Sequence, residues 1–460
     1  MKADLRIIFF IVMLLFANAA NAAPIENLRT SITPARLRIV LDSKEAIQYK
    51  VDKNEKHLEI ILPDSAASKQ RAKLKDAAVK SVQLVPNGTK ASKLLVELNK
   101  DCQYKVYQLQ KPHRLVVDLF RINIVKQNKQ LAKGVTYTYL QDEMNGRQIQ
   151  AYLVTVAPKA EYRLLPFSAA GKYNGRGLIS QAAVQQKMLA AINASYFDTD
   201  GWVIGSIKNQ GRMMAADGLP RSGYVVKNGE PEIVKDIGYY GTVALPDGRS
   251  LQIKGMNRMR ITEDLVLYNS FYAPSTKSNQ WGREIKIINN RVTDIATTGN
   301  MQITPGSIII SGHGSNAAAL AGLKIGDKVT VSETLGNNEA DSAETVVSGG
   351  PLLVENGIEK VRSSEEKMAA DIAKGRAPRT AVGIKKDGSI LLLVVDGRNN
   401  SSAGLTLSEL ATYMLRLGAK EAVNFDGGGS SVMAVNGRVV NKPSDGKERA
   451  VSIGLGLFKA

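Results

Sequence analysis

The sequence predicts a β-rich protein in two folded parts, a small all-β sandwich domain followed by a mixed α/β domain. The chain has 460 residues, and a single hydrophobic core usually stops growing at about 250 residues. Short alternating strands recur in the first part of the chain, which is typical of an all-β domain. Nearer the end, an amphipathic helix stands between two apolar strands, which favours a mixed α/β arrangement.

The first residues are typical of a secretory signal peptide. Lys2 and Arg6 precede the apolar run 7–16, and small residues follow as far as Ala22. The apolar run is shorter than the roughly 20 residues that span a bilayer, which argues against a membrane anchor. We therefore assign residues 1–22 to a signal peptide and expect an exported protein of the periplasm or cell wall, with no transmembrane segment after cleavage.

The region after the signal peptide contains a duplicated strand pattern. Alternating apolar residues predict three strands that then recur in the same order, at 37–41, 49–51 and 57–64 and again at 94–98, 104–106 and 113–118. Such self-similarity is typical of a duplicated β-unit whose halves pack together, because neither half can bury its apolar face alone.

This pattern, together with its ending Leu115–Phe120, resembles the AMIN domain, a small β-sandwich of bacterial envelope proteins. The resemblance covers residues 30–122 and implies attachment to the cell envelope without catalysis. His57 and His113 fall at matching positions of the repeat and have no partner at metal-ligand spacing, so we interpret them as structural or surface residues. Cys102, the only cysteine, is interpreted as a small core residue, since it cannot form an internal disulfide.

The positive charge is concentrated in the same region. The chain has a formal net charge of +18, and residues 24–130 hold 21 Lys or Arg against 11 Asp or Glu. In an exported protein this favours peptidoglycan or another anionic wall polymer as partner, and not nucleic acid. A solvated lysine-rich surface without a partner is an equal alternative.

The second part of the chain alternates strands, turns and a few helices. Residues 123–144 are interpreted as linker and domain entry, and residues 145–460 as one domain. Helices are predicted at 179–190, at 363–374, where Ser363 and Glu366 have capping-box spacing, and from Thr406. Thr406 and Glu409 form a second capping box, and Gly418 ends that helix.

The strongest local signal is the loop Asn424–Ser431, which directly follows an apolar strand. Its three successive glycines cost backbone entropy, so they indicate either an unusual turn or amides brought close to a ligand. By itself a glycine-rich turn is weak support for a functional site. Similar polar residues stand at the ends of other predicted segments, at 193–197, 348–351, 379–383, 395–398 and Arg449.

In this order and spacing, these motifs resemble the phosphodiester glycosidase family, which includes the lysosomal N-acetylglucosamine-1-phosphodiester α-N-acetylglucosaminidase. The resemblance spans residues 145–460. It implies a hydrolase that cleaves a sugar-1-phosphodiester, here in an envelope or exopolysaccharide glycoconjugate, and leaves a phosphomonoester. The implied substrate-binding residues are Asn193, Gly349, Gly350, Arg379, Arg398, Asn424, Gly427, Gly428, Gly429, Ser430, Ser431 and Arg449.

We predict that Asp396 and Asp426 are the catalytic carboxylates of this site. Cleavage at an anomeric carbon passes through an oxocarbenium-like state. A carboxylate can stabilise the positive charge of that state, or it can activate the water that attacks the carbon. The arginines would hold the phosphate, and the amides of residues 427–429 would help them. The pattern indicates no cofactor and no metal ligand set, while the requirement for a divalent cation is left open.

Two further motifs are not assigned to a site: Asp198–Gly201 is interpreted as a surface turn, and a serine-hydrolase triad is not expected at 311–315. Asp198-Thr199-Asp200-Gly201 begins like a calcium loop but lacks the Glu at the twelfth position. The segment 311–315 lacks the spacing of a nucleophile elbow. Two other functions stay open: a wall-binding protein that keeps the fold without turnover, and a glycosidase for ordinary glycosidic bonds.

Overall fold

The computed structural model describes residues 24–32, 36–54, 56–76, 78–99, 102–120 and 127–460. The predicted signal peptide and residues 123–126 of the predicted linker lie outside these ranges. The chain divides into two compact units, with the boundary between Arg121 and Ile122.

In the first unit, the regular secondary structure of the described residues consists of strands. These are β1 (Ile25–Ile32), β2 (Arg36–Ser43), β3 (Lys50–Lys53), β4 (His57–Leu62), β5 (Gln70–Arg71), β6 (Val79–Pro86), β7 (Ser92–Leu98), β8 (Gln103–Leu109) and β9 (His113–Phe120). They make two antiparallel sheets in the orders β1-β2-β9-β8 and β3-β4-β7-β6-β5. Alternate residues of both sheets, among them Ile39 and Ile60, are buried in one common core, and Cys102 is buried there too.

The predicted repeat has a specific consequence for strand pairing in this unit. β2, from the first half of the repeat, pairs with β9 from the second half. Reciprocally, β7 of the second half pairs with β4 of the first half. Each sheet therefore combines strands from both halves, so neither half can complete a sheet alone. The AMIN resemblance and the sandwich geometry remain predictions.

The second unit is also dominated by strands. The first group is β10 (Gln127–Ala132), β11 (Val135–Met144), β12 (Arg147–Val156), β13 (Tyr162–Ser168), β14 (Ala190–Asn193), β15 (Tyr196–Phe197), β16 (Val203–Ile204), β17 (Ile207–Asn209), β18 (Arg212–Asp217), β19 (Arg221–Lys227), β20 (Glu230–Ile237), β21 (Tyr240–Ala244), β22 (Ser250–Ile253) and β23 (Gly255–Met256). The second group is β24 (Leu265–Tyr268), β25 (Arg283–Ile288), β26 (Arg291–Ala296), β27 (Ile308–Gly312), β28 (Thr330–Thr334), β29 (Thr345–Ser348), β30 (Leu352–Glu355), β31 (Ile358–Glu359), β32 (Arg379–Lys385), β33 (Ile390–Val395), β34 (Ala419–Phe425), β35 (Met433–Val435), β36 (Arg438–Val439) and β37 (Ile453–Lys459).

Helices are short in this unit. They are α1 (Ile179–Gln185), α2 (Ser315–Ala319), α3 (Asn338–Ser342), α4 (Ala370–Lys374) and α5 (Leu407–Arg416), with a 3-10 turn at Gly428–Ser430. The β-rich character predicted from the sequence is therefore confirmed, whereas the mixed α/β description is not. The strands form sheets in the orders β10-β11-β12-β33-β32-β34-β30-β31, β13-β37-β14-β35-β36, β20-β19-β29-β17-β18-β23-β24-β27-β25-β26, β22-β21-β28 and β15-β16.

Three predicted segments differ from the structure. Residues 127–132 of the predicted linker form β10, which pairs with β11 and is an edge strand of the large sheet. The predicted helix at 363–374 is reduced to α4, and Glu366 is not engaged in a capping box. The predicted helix at 179–190 ends at Gln185, since Ala190 already belongs to β14.

Helix α5 follows its prediction closely. Its Thr406 and Glu409 form the predicted capping box, in which each side chain meets the other residue's backbone N–H. The face that includes Leu407 and Leu410 is buried against the large sheet. The helix thereby covers one side of β34, the strand that leads into the glycine-rich loop.

Candidate active site

The candidate site lies where three neighbouring strands of the large sheet begin or end. β32 runs antiparallel to both β33 and β34, so its first residue, Arg379, lies opposite Val395, the last residue of β33. Thr380 lies opposite Phe425, the last residue of β34. The loops that start at Asp396 and Asp426 therefore leave the same edge of the sheet.

Asp426 is the partly buried carboxylate of this edge. Its Oδ1 accepts a hydrogen bond from the backbone N–H of Gly427 at 2.9 Å. Burial raises the pKa of Asp426 to about 6, although hydrogen bonds from Ser430 and Gly427 and the charge of Arg449 oppose the rise. A carboxyl group with a pKa near neutrality can take up or release a proton at physiological pH.

Asn193 fixes the backbone from which Asp426 projects. Its Nδ2 donates to the carbonyl oxygen of Asp426 at 2.7 Å. Its Oδ1 accepts from the Thr380 hydroxyl at 2.8 Å and from the Val432 N–H at 3.1 Å. Since Asn193 is only 1 % exposed and its side chain is occupied by these bonds, it holds the loop and does not face a substrate.

Asn424 and Tyr196 form a second hydrogen-bonded group beside the loop. The Nδ2 of Asn424 donates to the Tyr196 hydroxyl and to the Gly350 carbonyl, each at 2.9 Å. The Tyr196 hydroxyl in turn donates to the same carbonyl at 3.1 Å. Burial and then the charge of Asp426 raise the pKa of Tyr196, so this hydroxyl stays protonated.

Two of the three glycine amides that were predicted to hold an anion have acceptors within the protein. The N–H of Gly427 binds Asp426, and the N–H of Gly428 donates to the Pro378 carbonyl at 2.9 Å. These two donors are used inside the protein, so they are not available to a substrate anion. Of the three amides that were predicted to hold an anion, the Gly429 N–H alone makes no hydrogen bond to a described residue.

Backbone conformation explains one of these glycines, and the close approach of an arginine explains another. A Cβ at Gly428, where φ is +60°, would lie 3.4 Å from both terminal nitrogens of Arg398. A Cβ at Gly429 would lie 1.9 Å from Nη2 of Arg449. A side chain at Gly429 would displace the Arg449 guanidinium. At Gly428 a Cβ would only contact Arg398, and the positive φ is what favours glycine there.

Arg379 is buried beneath this edge and is anchored to the backbone. It is 2 % exposed, its Nε donates to the Leu405 carbonyl at 2.9 Å, and its Nη2 donates to the Gly375 carbonyl at 2.6 Å. Burial, together with the like charge of Arg398, lowers its pKa. Its Nη1 makes no hydrogen bond to a described residue, which leaves one donor of a rigidly held guanidinium for a ligand.

Arg398 and Arg449 are the exposed cations of the site. Arg398 has a φ of 61°, an uncommon conformation for a residue with a side chain, and makes no hydrogen bond to any described residue. Arg449 forms an ion pair with Asp445 at 2.7 Å and donates to the Ser430 hydroxyl at 3.4 Å. Arg398 thus has its full hydrogen-bonding capacity available for an anion, and Arg449 has part of it.

Asp396, the other predicted catalytic carboxylate, has a different environment. It is 1 % exposed and accepts from the Tyr152 hydroxyl at 2.9 Å and from Asn441 and Lys442. Burial raises its pKa, and those hydrogen bonds oppose the rise. With its oxygens enclosed by donors of the protein, Asp396 is suited to position the loop around Asn441 and not to touch a substrate.

The remaining predicted residues make contacts within the same group of loops. Gly349 donates its N–H to the Ser222 carbonyl at 3.0 Å, and the carbonyl of Gly350 is the shared acceptor of Asn424 and Tyr196. Ser430 and Ser431 are both buried. The hydroxyl of Ser431 lies 3.3 Å from that of Thr380, so it adjoins the Asn193 network.

The sequence reasoning did not select four residues that the structure brings here. Tyr196 stood inside a motif that was noticed, so its neighbours could have pointed to it. Thr380 likewise adjoins Arg379. No local signal marked Asn441, which binds Asp396, or Arg221, whose guanidinium lies 5.9 Å from the centre of the Tyr196 ring.

The two motifs that were not assigned to a site have partners of their own. Asp198 accepts from the N–H groups of Asp200 and Trp202 in a closed turn. Ser311 binds the buried carboxylate of Glu284 at 2.7 Å. Among the described residues, no group of three or more His, Cys, Asp or Glu is placed to hold a metal ion.

Comparison with known proteins agrees with the predicted resemblance. Residues 282–458 match the phosphodiester glycosidase family model. Over 67 residues the chain is 42 % identical to the bovine N-acetylglucosamine-1-phosphodiester alpha-N-acetylglucosaminidase, which corresponds to 15 % of this chain and 12 % of that enzyme. The chain spans only 12 % to 21 % of the length of the first three curated relatives that it matches.

Two crystal structures share the fold. A hypothetical protein from Synechocystis has a TM-score of 0.65 and 21 % identity, over 96 % of this chain and 81 % of that one. A Burkholderia pseudomallei protein, whose description proposes that it is exported, has a TM-score of 0.61 and 20 % identity, over 94 % of this chain and 96 % of that one. The family resemblance is confirmed for residues 282–458, and these structures support the fold alone.

Proposed function

We propose that this chain, whose residues 282–458 form a phosphodiester glycosidase domain, hydrolyses the bond between a sugar and a phosphodiester attached to its anomeric carbon. The observation that carries the proposal is the position of Asp426. Its carboxyl group has a pKa of about 6 and lies at a strand edge with Arg379, Arg398 and Arg449. This combination places one proton acceptor beside several cations, which suits cleavage at a carbon next to a phosphate.

The reaction can be written with this chain's residues in stated roles. Water attacks the anomeric carbon, Asp426 accepts one proton of that water, and the bond from the anomeric carbon to the phosphate oxygen breaks. The electron pair of that bond stays on the phosphate, so the products are the free sugar and a phosphomonoester. The ionised carboxylate also stabilises positive charge that develops on the sugar ring.

The arginines would neutralise the leaving phosphate. Arg398 and the unoccupied Nη1 of Arg379 offer donors to it, and Arg449 adds charge from the other side of the glycine loop. A phosphomonoester is a good leaving group, so a second carboxyl group as acid is not required. This agrees with a positioning role for Asp396, which we propose in place of a catalytic one.

We further propose that the protein is exported and acts on envelope or exopolysaccharide glycoconjugates, with its first unit bound to an anionic wall polymer. Residues 1–22 support export. Among the described residues no helix is long and apolar enough to cross a membrane. The excess of basic residues at 24–130 supports attachment to the wall.

An isotope experiment tests the proposed reaction. N-acetylglucosamine 1-(methyl phosphate) is incubated with the full chain in water enriched in oxygen-18, and the products are analysed by mass spectrometry. Attack at the anomeric carbon places the label in the sugar, whereas attack at phosphorus places it in the phosphate and would exclude this mechanism.

The same assay tests the role of Asp426. We expect Asp426→Asn to lower kcat by about 1,000-fold or more, because the water loses its proton acceptor. Asp294→Asn is the matched control, since Asp294 lies on β26 with its side chain 55 % exposed. Wild-type turnover by a folded Asp426→Asn protein would show that the carboxylate is not catalytic.

A further inference from the structure

Arg221, the first residue of β19, carries a buried guanidinium without an ion pair. It is 8 % exposed, and among the described residues no carboxylate oxygen lies within 4 Å of its nitrogens. Its Nε is buried without a hydrogen-bond partner. Its Nη1 faces the sulfur of Met368, a weak acceptor, and its Nη2 has no partner among the described residues.

The nearest acidic group does not complete this guanidinium. Glu366 is buried close by, since a Cβ at Gly350 would lie 2.2 Å from its Oε2 and 3.6 Å from Cδ of Arg221. Its two oxygens accept from the backbone N–H and hydroxyl of Ser222 and from the N–H of Leu352, at 2.7 to 2.9 Å. The Glu366 oxygens are therefore occupied by these donors, and the donors of Arg221 stay unused.

A buried cation with unused donors is costly unless it acquires an anionic partner. The position of Arg221 identifies where such a partner would come from. Its guanidinium lies over the Tyr196 ring at 5.9 Å, and the pKa of Tyr196 responds to the charges of both Asp426 and Arg221. Tyr196 thus links Arg221 to the candidate active site.

Resting on the proposed function, we propose that Arg221 binds a second anionic group of the substrate, a carboxylate or phosphate carried by the sugar. We assign the scissile phosphate to Arg379 and Arg398, since Arg398 lies beside Gly428 and its charge lowers the pKa of Arg379. Arg221 lies instead at the Gly349–Gly350 turn. The enzyme would therefore prefer an acidic sugar to a neutral one, with Arg221 as the residue that sets the preference.

Three substrates that share the glucose ring and differ in their charged group test this preference. They are the 1-(methyl phosphate) diesters of glucose, glucuronic acid and glucose 6-phosphate, each assayed with the wild-type chain and with Arg221→Met. We expect wild-type kcat/KM to be about 10- to 100-fold higher for at least one acidic sugar than for glucose. Arg221→Met should abolish that difference, because KM for the acidic sugar should rise more than KM for glucose.

Two further variants make the result decisive. Arg221→Lys should retain part of the preference, because it keeps the charge without the planar fork, and it replaces Arg221→Met if that variant fails to fold. Arg291→Met, on β26, is the control, since Arg291 is exposed and its guanidinium donates to the Gly326 carbonyl. An equal loss on all three substrates would mean that Arg221 only positions Tyr196, and a wild-type chain without preference would also overturn the proposal.

A binding measurement separates this proposal from the reaction itself. If the wild-type chain hydrolyses none of the diesters, calorimetry with glucose 1-phosphate and glucuronic acid 1-phosphate decides the matter. Tighter binding of the glucuronate compound that Arg221→Met removes would support the anion position even though the proposed hydrolysis had failed. Equal binding of both compounds by the wild-type chain would refute it.

Discussion

At the scale of single residues, the raised pKa of Asp426 makes activity depend on pH. If the ionised carboxylate is the proton acceptor, activity is lost as Asp426 is protonated, that is, as the pH falls through about 6. We expect kcat/KM to be constant above pH 7 and to decrease tenfold per pH unit well below pH 6. Initial rates from pH 4.5 to 8 with a soluble sugar-1-phosphodiester would measure this decrease, which is the acidic limb of the pH profile.

Arg449 provides a way to assign that limb to Asp426. The charge of Arg449 lowers the pKa of Asp426, so Arg449→Gln should move the limb toward higher pH while it also weakens substrate binding. A limb that stays in place when Arg449 is neutralised would belong to another group.

The role of Gly429 is also testable at this scale. Gly429→Ala should lower kcat/KM by about tenfold or more, because the new Cβ would occupy the space of Nη2 of Arg449 and displace one cation. Its thermal midpoint should change little, since the exposed arginine can move. Gly322→Ala is the matched control because a Cβ there would meet nothing within 4 Å. Unchanged kinetics for Gly429→Ala would mean that Arg449 does not act in the reaction.

At the scale of elements, the helix from Thr406 shows where sequence reasoning succeeds. Its cap, apolar face and terminating glycine are all local features, and the structure contains each of them. The segment from Ser363 has the same capping-box spacing but forms no such box. There Glu366 accepts from Ser222 on β19 and from Leu352 on β30, which both lie outside the predicted helix. A local rule is overridden when a buried carboxylate finds distant donors.

This contrast predicts different effects of the same substitution. Thr406→Ala should destabilise the second unit by about 1 kcal/mol, because the helix loses the hydroxyl that accepts from the Glu409 N–H. Ser363→Ala should change stability by less than about 0.5 kcal/mol, as expected for a side chain without such a role. Thermal unfolding of both variants measures the difference, and equal losses would mean that the cap contributes nothing specific.

The candidate site was predictable only in part for a related reason. The sequence placed Asp396 and Asp426 alike, each directly after an apolar strand. Their difference depends on Tyr152 and Asn441, which enclose Asp396 and are far from it along the chain. Likewise the use of the Gly428 N–H by Pro378 depends on how two loops meet. Residue types at strand ends identified the site, but tertiary partners decide which groups face a ligand.

At the scale of the whole molecule, the chain divides into two compact units, and we propose attachment for the first and catalysis for the second. The duplicated pattern at 37–118 was visible in the sequence because alternation is a local property. The pairing of β2 with β9 and of β7 with β4, across the two halves of the repeat, was not visible in the sequence. Strand pairing depends on which register buries every apolar face. The basic character of the first unit was visible as well, but its arrangement on the surface was not.

That arrangement includes a stripe of exposed cations along and beyond β5. Within 69–75 every second residue is basic and exposed, while Ala72 and Leu74 between them pack against the core. None of their side chains forms an ion pair or hydrogen bond with another described residue. The members of this basic stripe are Lys69, Arg71, Lys73 and Lys75.

We expect replacement of all four basic-stripe residues by Gln to weaken sedimentation of the full chain with purified peptidoglycan or teichoic acid, while hydrolysis of a small soluble substrate is unchanged. The wild-type interaction should weaken with salt, since exposed charges are screened within about 10 Å at 0.1 M. The stripe also lies at the edge strand of its sheet, where cations protect proteins against edge-to-edge association. A variant that aggregates but still binds wall polymer as before would assign the stripe to that protection and exclude it from wall attachment.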